Sequence, residues 1–194
     1  MQNSLRFVKT LRSFVDIPDV DIEKILKITR SKQILKGGYF IREGEMSRNF
    51  GFVQTGLLRY SYTDDRGNDF TKGFFGENSF ICSYSAMIQN RVSYFSIEAL
   101  ENSDIFEINY EEWKRLFANE LWWNKFLIAL LEKGYCIKEN REREFLLFSA
   151  EERYKSFLNT YPGLDKRIRQ NLIASYIGIT PVALSRIRKK FQLT

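Results

Sequence analysis

The chain has 194 residues, 44% of them hydrophobic and 15% aromatic, which suits one moderate domain with a small one beside it and excludes a disordered chain. Its formal charge is +6 and it contains no histidine, which removes Ser-His-Asp and Cys-His catalysis, histidine-ligated haem and the usual transition-metal sites. The two cysteines, Cys82 and Cys136, are too few for a disulfide framework, a four-thiolate iron–sulfur cluster or a cysteine-only zinc site, and read as buried or inert thiols.

The start, "MQNSLRFVKTLRSFVDIPD", lacks the long apolar core and small-residue cleavage site of a secretory signal. Nowhere do about 18 apolar residues run uninterrupted, so the expected location is the cytoplasm. Residues 4 to 30 hold two short helical candidates. Pro18 and Asp19 open the second, in which Val20, Ile25 and Ile28 are expected to share a face. From about residue 32 the pattern changes. "KQILKGGYFIREGE" breaks at Gly37-Gly38 and again at Glu43-Gly44, and "LLRYSYT" sets Leu58, Tyr60 and Tyr62 on one side of an extended strand. "DDRGND", "FTKGFF", "YFSIEAL", "ENSD" and "IFEINY" continue as turns and strands. Short strands separated by Gly, Asn and Asp predict an antiparallel sandwich or small barrel over roughly residues 32 to 109.

"YEEWKRLF" returns to a helical pattern, and no proline interrupts residues 121 to 147, which read as one long helix. In it Trp123, Leu127, Leu130, Gly134 and Ile137 alternate steps of four and three. Such a seam packs either on the chain's own sheet or against a second copy in a parallel dimer. The helix is hard to cover within one small domain, which favours the dimer, and Gly134 lets two backbones approach. Glu139 stands four residues before Arg143, the spacing of a helical ion pair. Ser149 followed three residues later by Glu152 fits a capping box on the next helix, which Pro162-Gly163 ends.

From Lys166 onward there are seven basic residues and no acidic one, leaving −1 for everything upstream. A segregated basic segment suits nucleic acid or an anionic membrane surface. Within it, "ASYIGITPVALSRIRKK" has the spacing of a helix-turn-helix. Leu172, Ile173 and Ile177 line a first helix, Ala174 is small where a second must cross, and Gly178 sits at a sharp turn plugged by Ile179. Thr180 can cap the second helix and Pro181 opens it.

At about 100° per residue, Leu184, Ile187 and Phe191 fall on one side of that helix and Val182, Ser185, Arg186 and Lys189 on the other. Arg186 can give two hydrogen bonds to guanine, Val182 can touch a thymine methyl, and Ser185 and Lys189 can hold bases or phosphates. Arg169 and Lys190 are expected at phosphates. With Thr180 and Pro181 at the helix entry, these eight form the expected DNA-facing set. No paired carboxylates or lysine stand out as catalytic, so the expectation is a non-enzyme without a metal. Two rivals remain: a ligand-binding β-roll acting through protein–protein interaction without specific DNA binding, its basic tail solvated or membrane-associating, and a cupin-type enzyme, which usually needs histidine ligands.

"IREGE", "FVQTGLLRYSY", "FFGENSF", "SIEALENSDIFEI", the long helix and "LIASYIGITPVALSRIRKKF" together resemble the Crp/Fnr family of bacterial transcription regulators, particularly the group common in Bacteroidetes, over nearly the whole chain. The resemblance implies an α+β fold. A cyclic-nucleotide-binding-like antiparallel β-roll with N-terminal helices would span 1–120, a long dimerisation helix 121–148 and a winged-helix-like helix-turn-helix 149–194. It implies a homodimer on a palindromic double-stranded operator, with RNA polymerase as a further partner and no membrane. The chain ends at Thr194, so a wing strand after the second helix is not expected and "YPGLDKRI" is the candidate to supply one. In nucleotide-binding members a Gly-Glu pair meets the ribose, matched by Gly76-Glu77, and an Arg-Ser pair meets the cyclic phosphate. Aligning Ile97 to Ala99 with the family's strand puts the arginine position on Ser93, with Arg91 two residues early. A phosphate site without its guanidinium loses its strongest charge-assisted bonds, which counts against a cyclic nucleotide and leaves another small effector or an empty pocket.

Overall fold

The computed structural model describes residues 2–191, with side chains from Ser4 onward. Two helices, α1 (Gln2–Phe14) and α2 (Asp19–Ile28), precede the strands β1 (Arg30–Ile34), β2 (Tyr39–Ile41), β3 (Asn49–Thr55), β4 (Leu58–Thr63), β5 (Asp69–Phe75) and β6 (Phe80–Ile81). A short α3 (Tyr84–Ile88) is followed by β7 (Ser96–Ala99), β8 (Ser103–Asn109), α4 (Tyr110–Phe117), the long α5 (Leu121–Leu147), α6 (Ala150–Thr160), α7 (Gln170–Ile177) and α8 (Pro181–Lys190). The fold is α+β. Its strands form two four-stranded sheets, ordered β1-β8-β3-β6 and β2-β7-β4-β5. The described residues fall into two compact units, one built from residues up to 62 with 73–132, the other from 63–72 with 133 onward.

The first unit has two apolar layers because its strands alternate. On β3, Val53 points between the sheets to join Leu58, Ile81, Ile97 and Ile105, while Phe52 points to the helical side. There Phe7, Leu11, Ile25, Trp113, Phe117, Trp122, Trp123 and Phe126 form the second layer. Its rings meet at angles: Trp113 lies 5.2 Å from Trp123 and 6.1 Å from Trp122, both edge-on. A carboxylate is buried beside it. Asp21 accepts from Trp122 Nε1 at 3.0 Å and from Lys24 Nζ at 2.8 Å, which satisfies a carboxylate that burial alone would penalise.

The expected face of α2 is corrected here. Asp21, Ile22 and Ile25 are buried whereas Val20 is exposed, since Val20 and Ile25 are about 140° apart around a helix. On β4, Leu58 and Tyr60 are buried but Tyr62 is exposed. Arg59 and Ser61 are buried as well, Arg59 pairing with Glu98 at 3.3 Å across the β4–β7 ladder.

In the second unit, Ser149 and Glu152 complete the capping box, each side chain bonded to the other's backbone N–H. Tyr154, Phe157, Leu164, Ile173, Ala174, Tyr176, Ile177, Leu184 and Ile187 are among its buried side chains. "YPGLDKRI" supplies a single 3-10 turn, Leu164–Lys166, and no strand is assigned among the described residues from 150 to 191. The chain end at 192–194 lies outside the described residues. Two further expectations change. Cys136 is exposed and Cys82 half-buried. Arg143 lies over the Phe148 ring at 5.4 Å, with no ion pair to Glu139. Among the described residues no helix is long and apolar enough to cross a membrane.

Candidate nucleic-acid interface

The turn between α7 and α8 is built as its residue types require. Gly178 has φ +72°, in the left-handed region, and a Cβ there would come within 2.6 Å of the Phe145 ring of α5. The chain therefore needs glycine twice, for its backbone and for the space under Phe145. The Gly178 amide closes α7, and Ile179 N–H donates to the Ala174 carbonyl at 3.0 Å. Thr180 then caps α8, its hydroxyl accepting from the Ala183 N–H at 3.2 Å, and Pro181 occupies the first helical position. Leu184 and Ile187 anchor α8 to the unit's core.

The opposite face is open. Val182 is 62% exposed, and Ser185, Arg186 and Lys189 are exposed beside it. Arg186, Lys189 and Arg169 make no ion pair among the described residues, so their charges are uncommitted. Lys190 is different. Its ammonium binds both oxygens of Glu151, at 2.7 and 2.9 Å. Thr180 and Pro181 are exposed at the helix entry.

Sequence reasoning missed the residues that hold α7. Arg141 on α5 stacks over the Tyr176 ring at 3.8 Å and donates to the Tyr176 carbonyl at 2.7 Å and the Thr71 carbonyl at 3.2 Å. Ser175 Oγ accepts from the Thr71 N–H at 2.9 Å and donates to the Asp69 carbonyl at 3.1 Å. The "DDRGND" turn region thus belongs with the helices, a long-range pairing that no local pattern announces.

The expected dimer seam divides. Trp123, only 7% exposed, packs in the aromatic layer of its own unit, and Leu127 and Leu130 pack against that layer. Gly134 and Ile137 have no such cover, and a Cβ on Gly134 would meet open space. Among the apolar positions left bare on α5, four form another stripe. Leu121, Ile128 and Tyr135 recur every seven residues with Leu131 between the last two, and Ile128 is 54% exposed.

The candidate effector residues are held by the protein itself. Glu77 Oε1 accepts the Gly56 N–H at 3.1 Å. Ser93 is fully buried, its hydroxyl bonded to Ser83 and to the Phe95 carbonyl. Arg91 lies over the Tyr94 ring at 4.5 Å and donates to its hydroxyl. Next to Gly76, Phe75 stacks on Tyr60 at 4.1 Å, Tyr60 on Phe95 at 5.1 Å, and Tyr62 meets Phe95 edge-on. Burial raises the Tyr60 hydroxyl well above the usual phenol range, so the column is neutral. Among the described residues no cluster of Cys, Asp and Glu could hold a metal ion.

Residues 31–120 match the cyclic nucleotide-binding domain family. Solved structures extend the likeness along the chain. The c-di-GMP responsive global regulator CLP of Xanthomonas campestris superposes with a TM-score of 0.73 at 17% identity, covering 90% of this chain and 92% of its own. FixK2 of Bradyrhizobium japonicum gives 0.75 at 15% identity, covering 85% of each chain. A Crp/Fnr-family regulator from Eubacterium rectale gives 0.73 at 17% identity, covering 92% of this chain and 85% of its own. The chain has the Crp/Fnr fold. The Xanthomonas protein is a global regulator and the Eubacterium rectale protein a transcriptional regulator of the Crp/Fnr family. Among curated proteins none matches in sequence.

Proposed function

We propose that the chain is a dimeric, sequence-specific DNA-binding transcription regulator that works in the cytoplasm. The observation that carries this reading is the outer face of α8, where uncommitted Arg186 and Lys189 stand with Val182 and Ser185 on a helix capped by Thr180 and pinned by Leu184. That face has the shape and donors to enter a major groove, with Arg186 on guanine and Val182 against a thymine methyl. Arg169 and Lys189 serve phosphates. Lys190 joins them only by exchanging Glu151 for a phosphate.

Two copies pair through the bare stripe Leu121, Ile128, Leu131 and Tyr135 on α5, and Gly134 beside it admits a close second backbone. A two-fold dimer reads a palindrome with half-sites about 34 Å apart. The β-roll is not a cyclic-nucleotide sensor in this reading. Glu77 and Ser93 already have partners, and the column of Phe75, Tyr60 and Phe95 fills the interior beside them.

Selection of binding sites from a randomised duplex pool by the purified protein, with Arg186→Ala in parallel, tests the proposal. An enriched palindrome that relaxes at one position per half-site in the variant is the expected result. A pool that stays random for the wild-type protein overturns it and leaves a β-roll acting through protein contacts.

A further inference from the structure

The first unit holds a cleft of about 360 Å³ between the β2–β3 connection, α3 and the start of α4. Its size is near the lower end of the roughly 300–1,000 Å³ typical of small-molecule sites. The polar groups around it divide into those already used and those to spare. Asn109 is used: its amide donates to Asn49 at 3.1 Å and its oxygen accepts the Glu112 N–H at 3.1 Å. Glu111 is used as well, bound by Lys114 at 2.9 Å.

The groups to spare are mostly donors. The Arg48 side chain is exposed at the cleft and its guanidinium makes no hydrogen bond or ion pair among the described residues, which leaves five N–H donors in a planar fork. Ser47 is 96% buried in the same wall by its 4% exposure, and its hydroxyl has no partner. Asn90 adds a free amide from a residue held at φ +48°. Tyr110 lines the cleft too, and burial raises its hydroxyl above the usual phenol range, so it stays protonated. Apolar surface completes the cleft. Met87 is buried in its floor, and Met46, Ile88 and Val92 are exposed nearby, Met46 and Val92 being bridged as a strand pair.

We propose that this cleft binds a small monocarboxylate with an apolar body, its carboxylate on Arg48 and its body against Met87. One guanidinium matches one negative charge in a bidentate pair. A phosphate dianion is disfavoured, because the Glu111 carboxylate lines the same cleft. The proposal goes beyond the DNA-binding reading and stands without it, since binding here requires no DNA.

The test is calorimetric titration of the full chain with phenylacetate, phenylacetamide and inorganic phosphate, repeated on Arg48→Gln and on Arg115→Gln, an exposed arginine on α4 outside the cleft. Thermal melts of both variants matching the wild type establish that each is folded. Phenylacetate should bind saturably, with at least tenfold weaker binding of the neutral amide and of phosphate. Arg48→Gln should lose at least tenfold for phenylacetate and nothing for the amide, while Arg115→Gln changes neither. No heat with phenylacetate, equal binding of the amide, tighter binding of phosphate, or full affinity in a folded Arg48→Gln protein each overturns the proposal.

Discussion

Single residues in the α7–α8 turn separate reading from support. Arg186 is expected to read a base, so Arg186→Ala should cost about 1–3 kcal/mol on the preferred site and relax one position of each half-site. Lys189 carries its charge without a partner among the described residues, so Lys189→Ala should weaken all sequences alike and flatten the salt dependence. Lys190, paired with Glu151 near the surface, should change folding stability by only about 0.2–1 kcal/mol when replaced by Ala. Duplex binding at several salt concentrations and urea melts check these three together. Gly178→Ala is of another kind. It combines left-handed backbone with a Cβ 2.6 Å from the Phe145 ring, and should destabilise the second unit by more than about 1 kcal/mol in a chemical melt. The backbone need was legible in the sequence because a helix must stop before Thr180-Pro181. The collision with Phe145, 33 positions earlier, was not, since nothing local records which side chain lies over a turn.

At the level of elements, helices with both a cap and a periodic face were the most legible. α6 begins at the capping box of Ser149 and Glu152, and Ser149→Ala should cost about 1 kcal/mol of stability, seen as a lower urea midpoint. The Ser149 hydroxyl and N–H both bond the Glu152 carboxylate and hold its pKa below the ordinary carboxylate value. A depressed folded pKa means that this contribution is complete above about pH 4.5 and is lost as pH falls through the folded value, so Glu152→Gln should flatten the acid limb of a stability profile.

The long helix was legible in extent but not in orientation. Its apolar residues cover two faces, and a four-three seam through Trp123 is as regular as one through Ile128. Burial decides between them. Trp123→Ala should cost about 3–5 kcal/mol by unpacking the first unit. Ile128→Asp combined with Leu131→Asp should leave a folded monomer by light scattering, and a persistent dimer would sink the proposed stripe. α3 escaped the sequence reading altogether, because five residues are too few to show a helical period.

For the whole molecule, residues 31–120 match the cyclic nucleotide-binding domain family while the side chains beside Gly76 and Glu77 engage one another. A ligand that binds only the folded protein at about 100 times its Kd adds about 2.7 kcal/mol of stability. A melting temperature unmoved by saturating cyclic AMP or cyclic GMP is therefore a sharp expected result, and a rise of several degrees would reverse the reading of the Phe75–Tyr60–Phe95 column. The sequence announced the Gly76-Glu77 pair and the displaced Arg91. It could not announce that Glu77 serves the Gly56 amide, 21 positions earlier, or that Ser93 bonds Ser83, 10 positions earlier, since no local pattern records those approaches. The clustered indoles have a spectroscopic use. All three tryptophans of the chain sit in the first unit, within about 6 Å of Trp113, while Tyr154, Tyr161 and Tyr176 lie in the second. Emission excited at the red edge of absorption thus reports the β-roll unit alone, and the separation between that curve and far-ultraviolet circular dichroism measures whether the two units melt as one.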